Sequence, residues 1–296
     1  MAIFGFPVNQ FEPTSHRFLS QRLALHYLDW GNADAPLLLL VHGGRDHAHS
    51  WDWVARALRQ HWHVVCPDLR GHGDSAWSPD GGYAMASYVS DFAQLVDQLG
   101  DGPVSIVGHS LGGATALRYA GLYPENVRRL AVIEGLGRSP LDPKAEAPVA
   151  KRWRDWIAER RALSARTHAR YPSLDPAYAR MSEANPHLSE ERVRHLTRHG
   201  TIRNEDGSYS WKFDNYVRSE PPADITKEEL HELWHNVDCP VWLIHGADSW
   251  AYHPGKDGRA EHFKQAHVTS YPQAGHWVHH DRFDSFVADL KTFLEQ

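Results

Sequence analysis

Cysteine is scarce in this chain, which carries only Cys66 and Cys239 among its 296 residues. Two cysteines cannot build the disulfide framework on which small secreted domains depend. Long apolar runs are missing too, since Leu37–Val41, the longest, falls far short of the ~20 residues that a membrane-spanning helix needs. The N-terminal stretch lacks a basic region followed by a long apolar one, so no signal peptide is expected.

An excess of positive charge is also absent. Lysine and arginine number 31 against 37 aspartates and glutamates, for a net charge of −6, which argues against a nucleic-acid-binding protein. Neither a P-loop nor a G-x-G-x-x-G fingerprint occurs, so no nucleotide cofactor is implied. The composition, 42% hydrophobic and 23% charged, is that of a globular protein large enough to bury a sizeable core. These absences favour a cytoplasmic enzyme that needs no cofactor.

Short apolar runs alternate with helical stretches, a pattern typical of a mostly parallel sheet flanked by helices. The predicted strands are Leu23–Leu28, Leu37–Val41, His63–Cys66, Val104–Val107, Leu130–Ile133, Val241–His245 and Val268–Tyr271. The predicted helices are Trp51–Gln60, Met85–Leu99, Gly112–Tyr123 and Phe283–Leu294.

The alternation stops after Ile133 and resumes only at Val241. The intervening stretch is rich in proline, and its part Lys151–Arg170 is dense in charge and in helix formers. Because a structureless loop of this length is improbable in a compact domain, we expect a mostly helical insertion. The predicted organisation is a core of residues 1–136 and 223–296, with residues 137–222, the inserted segment, forming a helical cap.

One pentapeptide has the arrangement of a nucleophile elbow. Gly108-His109-Ser110-Leu111-Gly112 comes directly after an apolar strand and opens a helix rich in alanine and leucine. In that context a tight turn lifts the serine clear of the backbone, and the glycines allow close approach of neighbouring segments. The helix N-terminus favours negative charge developing at the serine. We therefore predict that Ser110 is a nucleophile.

A serine hydroxyl needs a base to take its proton, and histidine has a suitable pKa. Of the 22 histidines, His276 lies between the last predicted strand and the terminal helix. That position is at the carboxyl edge of a parallel sheet, where sites in such sheets are built. His279 and His280 are rivals, but they lie further along, near the start of the helix. The sequence favours His276 as the base.

Four stretches together resemble the α/β-hydrolase superfamily, in its capped serine-hydrolase, esterase-like branch. They are Val41-His-Gly-Gly-Arg, Pro67-Asp-Leu-Arg-Gly-His-Gly-Asp-Ser, Gly108-His-Ser-Leu-Gly-Gly and Ala274-Gly-His-Trp, and they occur in the family's order. The resemblance implies an eight-stranded, mostly parallel sheet with an inserted helical cap. It also implies an oxyanion hole made by two backbone amides. We place the first on Gly44, with Arg45 as the near alternative, and the second on Leu111.

The histidine also needs a carboxylate to fix its tautomer and to stabilise the imidazolium, and two candidates remain open. Asp248 follows the strand run Val241–His245, where the acid most often lies in the superfamily, but the usual acid position there is occupied by Ser249. Glu134 follows Ile133 beside the nucleophile strand, where some branches carry the acid. A carboxylate ending such an apolar run needs a partner. We favour Glu134 and keep Asp248 as the alternative.

Aromatic and histidine side chains supply the remaining candidates. A substrate pocket is predicted from residues near the site and in the cap: Arg45, His109, Trp153, Trp211 and Trp277. The pairs His47-x-His49 and His61-x-His63 look like metal ligands, yet no third ligand follows at a familiar spacing. We therefore predict no metal site.

The combined prediction is a serine hydrolase that cleaves a small, apolar carboxylic ester through an acyl-serine intermediate. A hydrolase of a carbon–carbon bond, a lactone or an amide could use the same residues. A non-catalytic ligand-binding receptor on the same fold is a rival from another class. No partner nucleic acid or membrane span is expected, and the sequence leaves the oligomeric state open.

Overall fold

A computed structural model describes residues 12–100, 102–137, 139, 147–219, 221–222 and 224–296 of the chain. Its main sheet has eight strands in the order β1-β2-β4-β3-β5-β6-β9-β10. The strands are β1 (Thr14–Ser20), β2 (Leu23–Asp29), β3 (Leu37–Val41), β4 (His63–Pro67), β5 (Val104–His109), β6 (Val127–Ile133), β9 (Val241–Gly246) and β10 (Ala266–Tyr271). Only the β1–β2 and β2–β4 pairings are antiparallel. The predicted eight-stranded, mostly parallel sheet is confirmed.

The central strand β3 is apolar at every position because both faces of the sheet are covered. In β3, Leu38 and Leu40 pack into one core cluster, and Leu39 and Val41 into the cluster on the opposite face. All four side chains are fully buried. Burying each one contributes about 1.5–3 kcal/mol relative to leaving it in water, so this short run anchors the sheet.

Helices flank the sheet as the alternating pattern predicts. Those of the core are α1 (Asp52–Leu58), α2 (Met85–Leu99), α3 (Leu111–Leu122), α7 (Lys227–Asn236), α8 (Val278–Asp281) and α9 (Phe283–Glu295). The sequence did not predict β1, because only Phe18 and Ser20 of that edge strand are buried and its apolar signal is weak. It did not predict α7 either, although a capping box at Thr226 and Glu229 marks its start.

Within its described residues, the inserted segment contains three α-helices and a small hairpin. The helices are α4 (Val149–Ser164), α5 (Leu174–Ala184) and α6 (Glu190–Gly200), and the hairpin strands are β7 (Thr201–Arg203) and β8 (Tyr209–Trp211). The hairpin was not anticipated. Its strands are three residues each, too short to give a periodic pattern.

The inserted segment packs on loops that follow β3 and β4. His47, after β3, bonds the carbonyl of Leu196 in α6 at 2.9 Å. The Arg160 guanidinium of α4 donates to the carbonyl of Gly81 at 2.9 Å, in the long loop after β4. The Tyr83 hydroxyl of that loop donates to Asp214 at 2.6 Å. These loops leave the carboxyl edge of the parallel strands, so the segment lies at that edge.

The described part of the chain contains no helix long and apolar enough to cross a membrane. Cys66 and Cys239 are free and buried.

Candidate active site

The candidate catalytic residues all follow the carboxyl ends of neighbouring parallel strands. Ser110 follows β5, Glu134 follows β6, the alternative acid Asp248 lies beyond β9 and His276 lies beyond β10. Because β5, β6, β9 and β10 run parallel in adjacent positions, their carboxyl ends share one edge of the sheet. This shared edge is where ligands bind in open parallel sheets.

Ser110 occupies a strained turn between β5 and α3. Its backbone has φ 50° and ψ −113°, a conformation that side-chain-bearing residues rarely adopt. The turn requires small neighbours: a Cβ on Gly108 would lie 2.6 Å from the Cα of Gly113, and one on Gly112 would lie 2.4 Å from the carbonyl oxygen of Val41. The Ser110 N–H donates to the carbonyl of Ile133 at 2.8 Å. The local sequence thus forms the elbow that its motif predicts.

His276 is paired with Glu134. The His276 Nδ1 lies 2.5 Å from Glu134 Oε2, and the two side chains are 18% and 1% exposed. A carboxylate accepts and cannot donate, so the proton lies on Nδ1 and Nε2 is left with a free lone pair. That tautomer is the one a general base needs.

Glu134 is held by two further donors. The backbone N–H of Gly246 donates to Oε1 at 2.9 Å, and the Ser249 hydroxyl donates to Oε2 at 2.6 Å. The Glu134 backbone itself has φ 49° and donates its N–H to the carbonyl of Ile244 at 3.1 Å. A buried carboxylate with three donors keeps its position without a water shell.

Asp248, the alternative acid, is not paired with His276. Its residue is exposed, and its backbone N–H donates to the carbonyl of Ala274 at 2.9 Å. Within the described residues its carboxylate makes no hydrogen bond or ion pair. Ser249, the next residue, occupies the usual acid position and contacts Glu134 instead.

His109 connects the elbow to the loop of His276. Its Nε2–H donates to the carbonyl of His276 at 3.0 Å, and the two rings lie 4.6 Å apart. Burial, reinforced by the neighbouring His276 and His279, lowers the pKa of His109 well below its usual value. A neutral His109 therefore fixes the backbone of His276 without adding charge to the site.

The two rival histidines lie in the protein interior. The His279 ring stacks on Trp51 with centroids 4.4 Å apart, and His280 Nε2 lies 3.0 Å from the Ser50 hydroxyl. Burial lowers the pKa of both rings well below the usual value. Neither is paired with a carboxylate among the described residues, which separates them from His276.

The turn after β3 lies beside the elbow. A Cβ on Gly43 would come within 2.6 Å of the His109 ring, so the turn approaches the elbow as closely as glycine allows. Gly44 and Arg45 are exposed, and Arg45 has φ 63°. No described residue accepts a hydrogen bond from the N–H of Gly44 or of Leu111, the first residue of α3.

The predicted pocket residues lie in different surroundings. Trp277 is near His109, with ring centroids 6.1 Å apart, whereas Trp211 packs on Phe213 and donates to the Tyr171 hydroxyl at 3.2 Å. Trp153 on α4 is 45% exposed and contacts Trp156. The sequence did not single out Trp250, whose ring lies 4.8 Å from that of His276 while 78% of the residue is exposed.

The histidines considered as metal pairs separate in the structure. His63 Nε2 lies 3.1 Å from Asp29, and His61 is an exposed residue beside it. His47 turns to Leu196, but His49 joins Asp52 and two histidines of α6. This grouping could not be found by sequence spacing, because its two halves, residues 49–52 and 195–199, are separated by more than a hundred residues.

Comparison with known families agrees with this architecture. A family model described as the alpha/beta hydrolase fold matches residues 36–283. The chain belongs to the α/β-hydrolase family. This α/β-hydrolase is 30% identical over 282 residues to an esterase of Mycobacterium tuberculosis, a match that covers 92% of this chain and 87% of the esterase. It is 28% identical over 280 residues to an sn-1-specific diacylglycerol lipase of Mus musculus, covering 92% and 85% of the two chains.

Solved α/β-hydrolase structures superpose over nearly the whole chain. The crystal structure of the Mycobacterium tuberculosis esterase does so with a TM-score of 0.76 at 26% identity, covering 96% of this chain and 93% of that one. A thioesterase domain from the curacin biosynthetic pathway gives a TM-score of 0.79 at 24% identity, covering 93% and 98%. At that identity the thioesterase domain demonstrates the shared fold alone.

Proposed function

We propose that this α/β-hydrolase cleaves carboxylic esters of small, apolar molecules through an acyl-Ser110 intermediate, with His276 as base and Glu134 as acid. The observation that carries the proposal is the 2.5 Å contact of His276 Nδ1 with a buried Glu134 at the edge that holds the Ser110 elbow. The similarity to an esterase and to a diacylglycerol lipase supports the class of bond.

The first half of the reaction acylates the serine. His276 Nε2 takes the Ser110 hydroxyl proton as the oxygen attacks the ester carbonyl, and the imidazolium that forms is stabilised by Glu134. The N–H groups of Leu111 and Gly44 receive the developing oxyanion. Losing one such donor typically costs about 3–4 kcal/mol of barrier. His276 then protonates the departing alcohol.

The second half removes the acyl group. His276, neutral again after the alcohol leaves, takes a proton from water as the water attacks the acyl carbonyl. Collapse of this second intermediate returns the proton to Ser110 and releases the carboxylic acid. No cofactor takes part in either half.

We further propose that the inserted segment acts as a lid over Ser110 and lines the substrate pocket. Its contacts with the loops after β3 and β4 support this placement. Aromatic residues of the segment, such as Trp211, would then meet the apolar part of the ester.

The test compares wild type with Ser110→Ala on p-nitrophenyl esters of increasing acyl length and with a fluorophosphonate probe. We expect Ser110→Ala to lose turnover and covalent labelling while its circular dichroism stays unchanged. A lactone and an anilide are tested in parallel. A clear preference for either over every ester would show that the enzyme cleaves that bond rather than a simple carboxylic ester. Substantial turnover by a folded Ser110→Ala protein would contradict the mechanism.

A further inference from the structure

Four potential metal ligands from two distant parts of the chain converge outside the candidate active site. His49 lies in a short 3-10 helix after β3, Asp52 is the first residue of α1, and His195 and His199 lie on α6. One ligand atom of each lies within 4.8 Å of the others. The two α6 histidines are four residues apart and so share one face of that helix.

We propose that His49, Asp52, His195 and His199 form a binding site for a divalent transition-metal ion of the zinc type. The donor set of three imidazole nitrogens and one carboxylate oxygen suits such ions and disfavours Mg²⁺ and Ca²⁺, which prefer oxygen ligands. This proposal does not rest on the proposed ester hydrolysis.

Two of the donor spacings, both to Asp52, are close to those around a tetrahedral ion. Asp52 Oδ2 lies 3.0 Å from His49 Nδ1 and 3.0 Å from His195 Nε2. Ligands about 2.0–2.1 Å from a tetrahedral zinc ion are about 3.3 Å from one another, so a small opening of the cluster admits the metal. The Asp52 side chain is 1% exposed and the two imidazoles 19%, which keeps the cluster largely out of water.

His199 distinguishes a metal site from a simple histidine–carboxylate ion pair. Two imidazole N–H groups already satisfy Asp52. The His199 ring lies 3.8 Å from the ring of His49 and 4.5 Å from that of His195, yet it makes no hydrogen bond to any described residue. A metal bound between these rings would give the His199 imidazole a partner.

The surroundings of the cluster are suited to orient its ligands. The Trp53 ring packs against His195 with centroids 4.5 Å apart. This packing restricts the orientation of the His195 imidazole. Because His49 belongs to the core and α6 to the inserted segment, a bound ion would join the two. The expected role is to hold α6 against the loop that carries Gly44.

The experiment uses untagged, full-length protein stripped of metal and titrated with Zn²⁺, and with Co²⁺ as a spectroscopic probe. We expect one tightly bound metal ion per chain, a visible spectrum typical of tetrahedral Co²⁺, and a higher Tm with zinc than without it. In His199→Ala the affinity should fall by more than the ~10–100-fold that loss of an outer-shell partner costs, and the zinc-dependent Tm shift should disappear. Because the His199 side chain makes no hydrogen bond to a described residue, this variant should fold.

The matched control is His231→Ala. His231 stacks on His262 with ring centroids 3.6 Å apart. The variant therefore removes an imidazole from a different histidine pair, and it should still bind one zinc ion tightly. Anomalous scattering at the zinc edge from wild-type crystals locates the ion even if a variant fails to fold. The proposal is overturned if no tight equivalent binds, if His199→Ala retains it, or if the anomalous peak lies elsewhere.

Discussion

Two residues with left-handed backbone conformations lie at the ends of adjacent strands. Ser110 has φ 50° after β5, and Glu134 has φ 49° after β6. Residues other than glycine in this region cost of order 1–3 kcal/mol each and persist where the surroundings hold them. Here the strain turns the first side chain out of the elbow and brings the second to His276, so it coincides with the candidate chemistry.

At this scale the first prediction separates the two carboxylates. Glu134→Gln should leave the fold intact and lower kcat by up to ~10⁴-fold, since an amide cannot stabilise an imidazolium as a carboxylate does. Asp248→Asn, the matched control, should change kcat by no more than about twofold because the exposed carboxylate has no hydrogen-bond or ion-pair partner among the described residues. Steady-state kinetics on a p-nitrophenyl ester measure both. The reverse ranking would transfer the role of acid to Asp248.

The second prediction concerns Ser249, which contacts the same carboxylate oxygen as His276. In a Glu134→Ala background, Ser249→Asp should restore kcat by more than about tenfold, because a carboxylate there is close to His276 and a charge-assisted hydrogen bond is worth ~1.5–3 kcal/mol. The native Asp248 remains in both proteins and controls for a carboxylate that merely lies nearby. An inactive but folded double variant would show that only the β6 position reaches the histidine.

At the scale of elements, the hydrogen bonds between α4 and the core that the described residues show come from one side chain. Arg160 donates to the carbonyl oxygens of Gly81 at 2.9 Å and Asp80 at 2.7 Å, and its guanidinium lies 4.8 Å from the Tyr216 ring centroid. The α4 helix has only one buried residue, Leu163. Its docking therefore depends on these polar contacts more than on apolar burial.

The third prediction follows from this arrangement. Arg160→Ala should increase amide hydrogen exchange across residues 149–164 about fivefold, equivalent to losing ~1 kcal/mol of hydrogen bonding. Arg154→Ala is the control, because among the described residues its guanidinium bonds only Ala150, which lies in the same helix. If the inserted segment is a lid, Arg160→Ala should also raise KM for long-chain esters more than for acetate esters. Unchanged exchange in Arg160→Ala would show that other contacts hold α4.

On the scale of the whole molecule, buried neutral histidines couple stability to pH. His42 and His72 are fully buried, with ring centroids 5.3 Å apart. Burial is the main cause that lowers the pKa of His42 to about 3 and that of His72 to about 4, although the nearby Asp68 acts in the opposite direction. In the unfolded chain such rings titrate near 6.5, so below that pH the unfolded state binds more protons.

The fourth prediction is a loss of stability in mild acid. As the pH falls from 7.5 to 5.5, each of these histidines should lower the free energy of unfolding by about 1 kcal/mol. Urea unfolding at the two pH values measures the change. His72→Gln should reduce the loss by about 1 kcal/mol, whereas His61→Gln, at an exposed position, should leave it unchanged. Equal losses of unfolding free energy in wild type and His72→Gln would contradict the attribution of part of this loss to the buried His72.

Local pattern alone determined much of this protein. The strand–helix alternation identified the parallel sheet, because a strand covered on both faces is largely apolar, as Leu37–Val41 is. The elbow around Ser110 was predictable because its glycines and its strand-to-helix context are all local. The edge strand β1 and the hairpin β7–β8 were not predicted, since neither buries enough apolar surface to give a periodic hydrophobic pattern.

Tertiary structure decided which distant side chains meet. Glu134 and Asp248 both follow strands that end at the same edge, and no spacing rule could say which carboxylate approaches His276. The backbone turn at Glu134 and its donors Gly246 and Ser249 bring that side chain to the histidine. The same holds for His49 and His199, which pack together only because α6 folds back onto the core. Local interactions depend on residues that are neighbours in the sequence, whereas contacts between remote residues depend on how the elements pack.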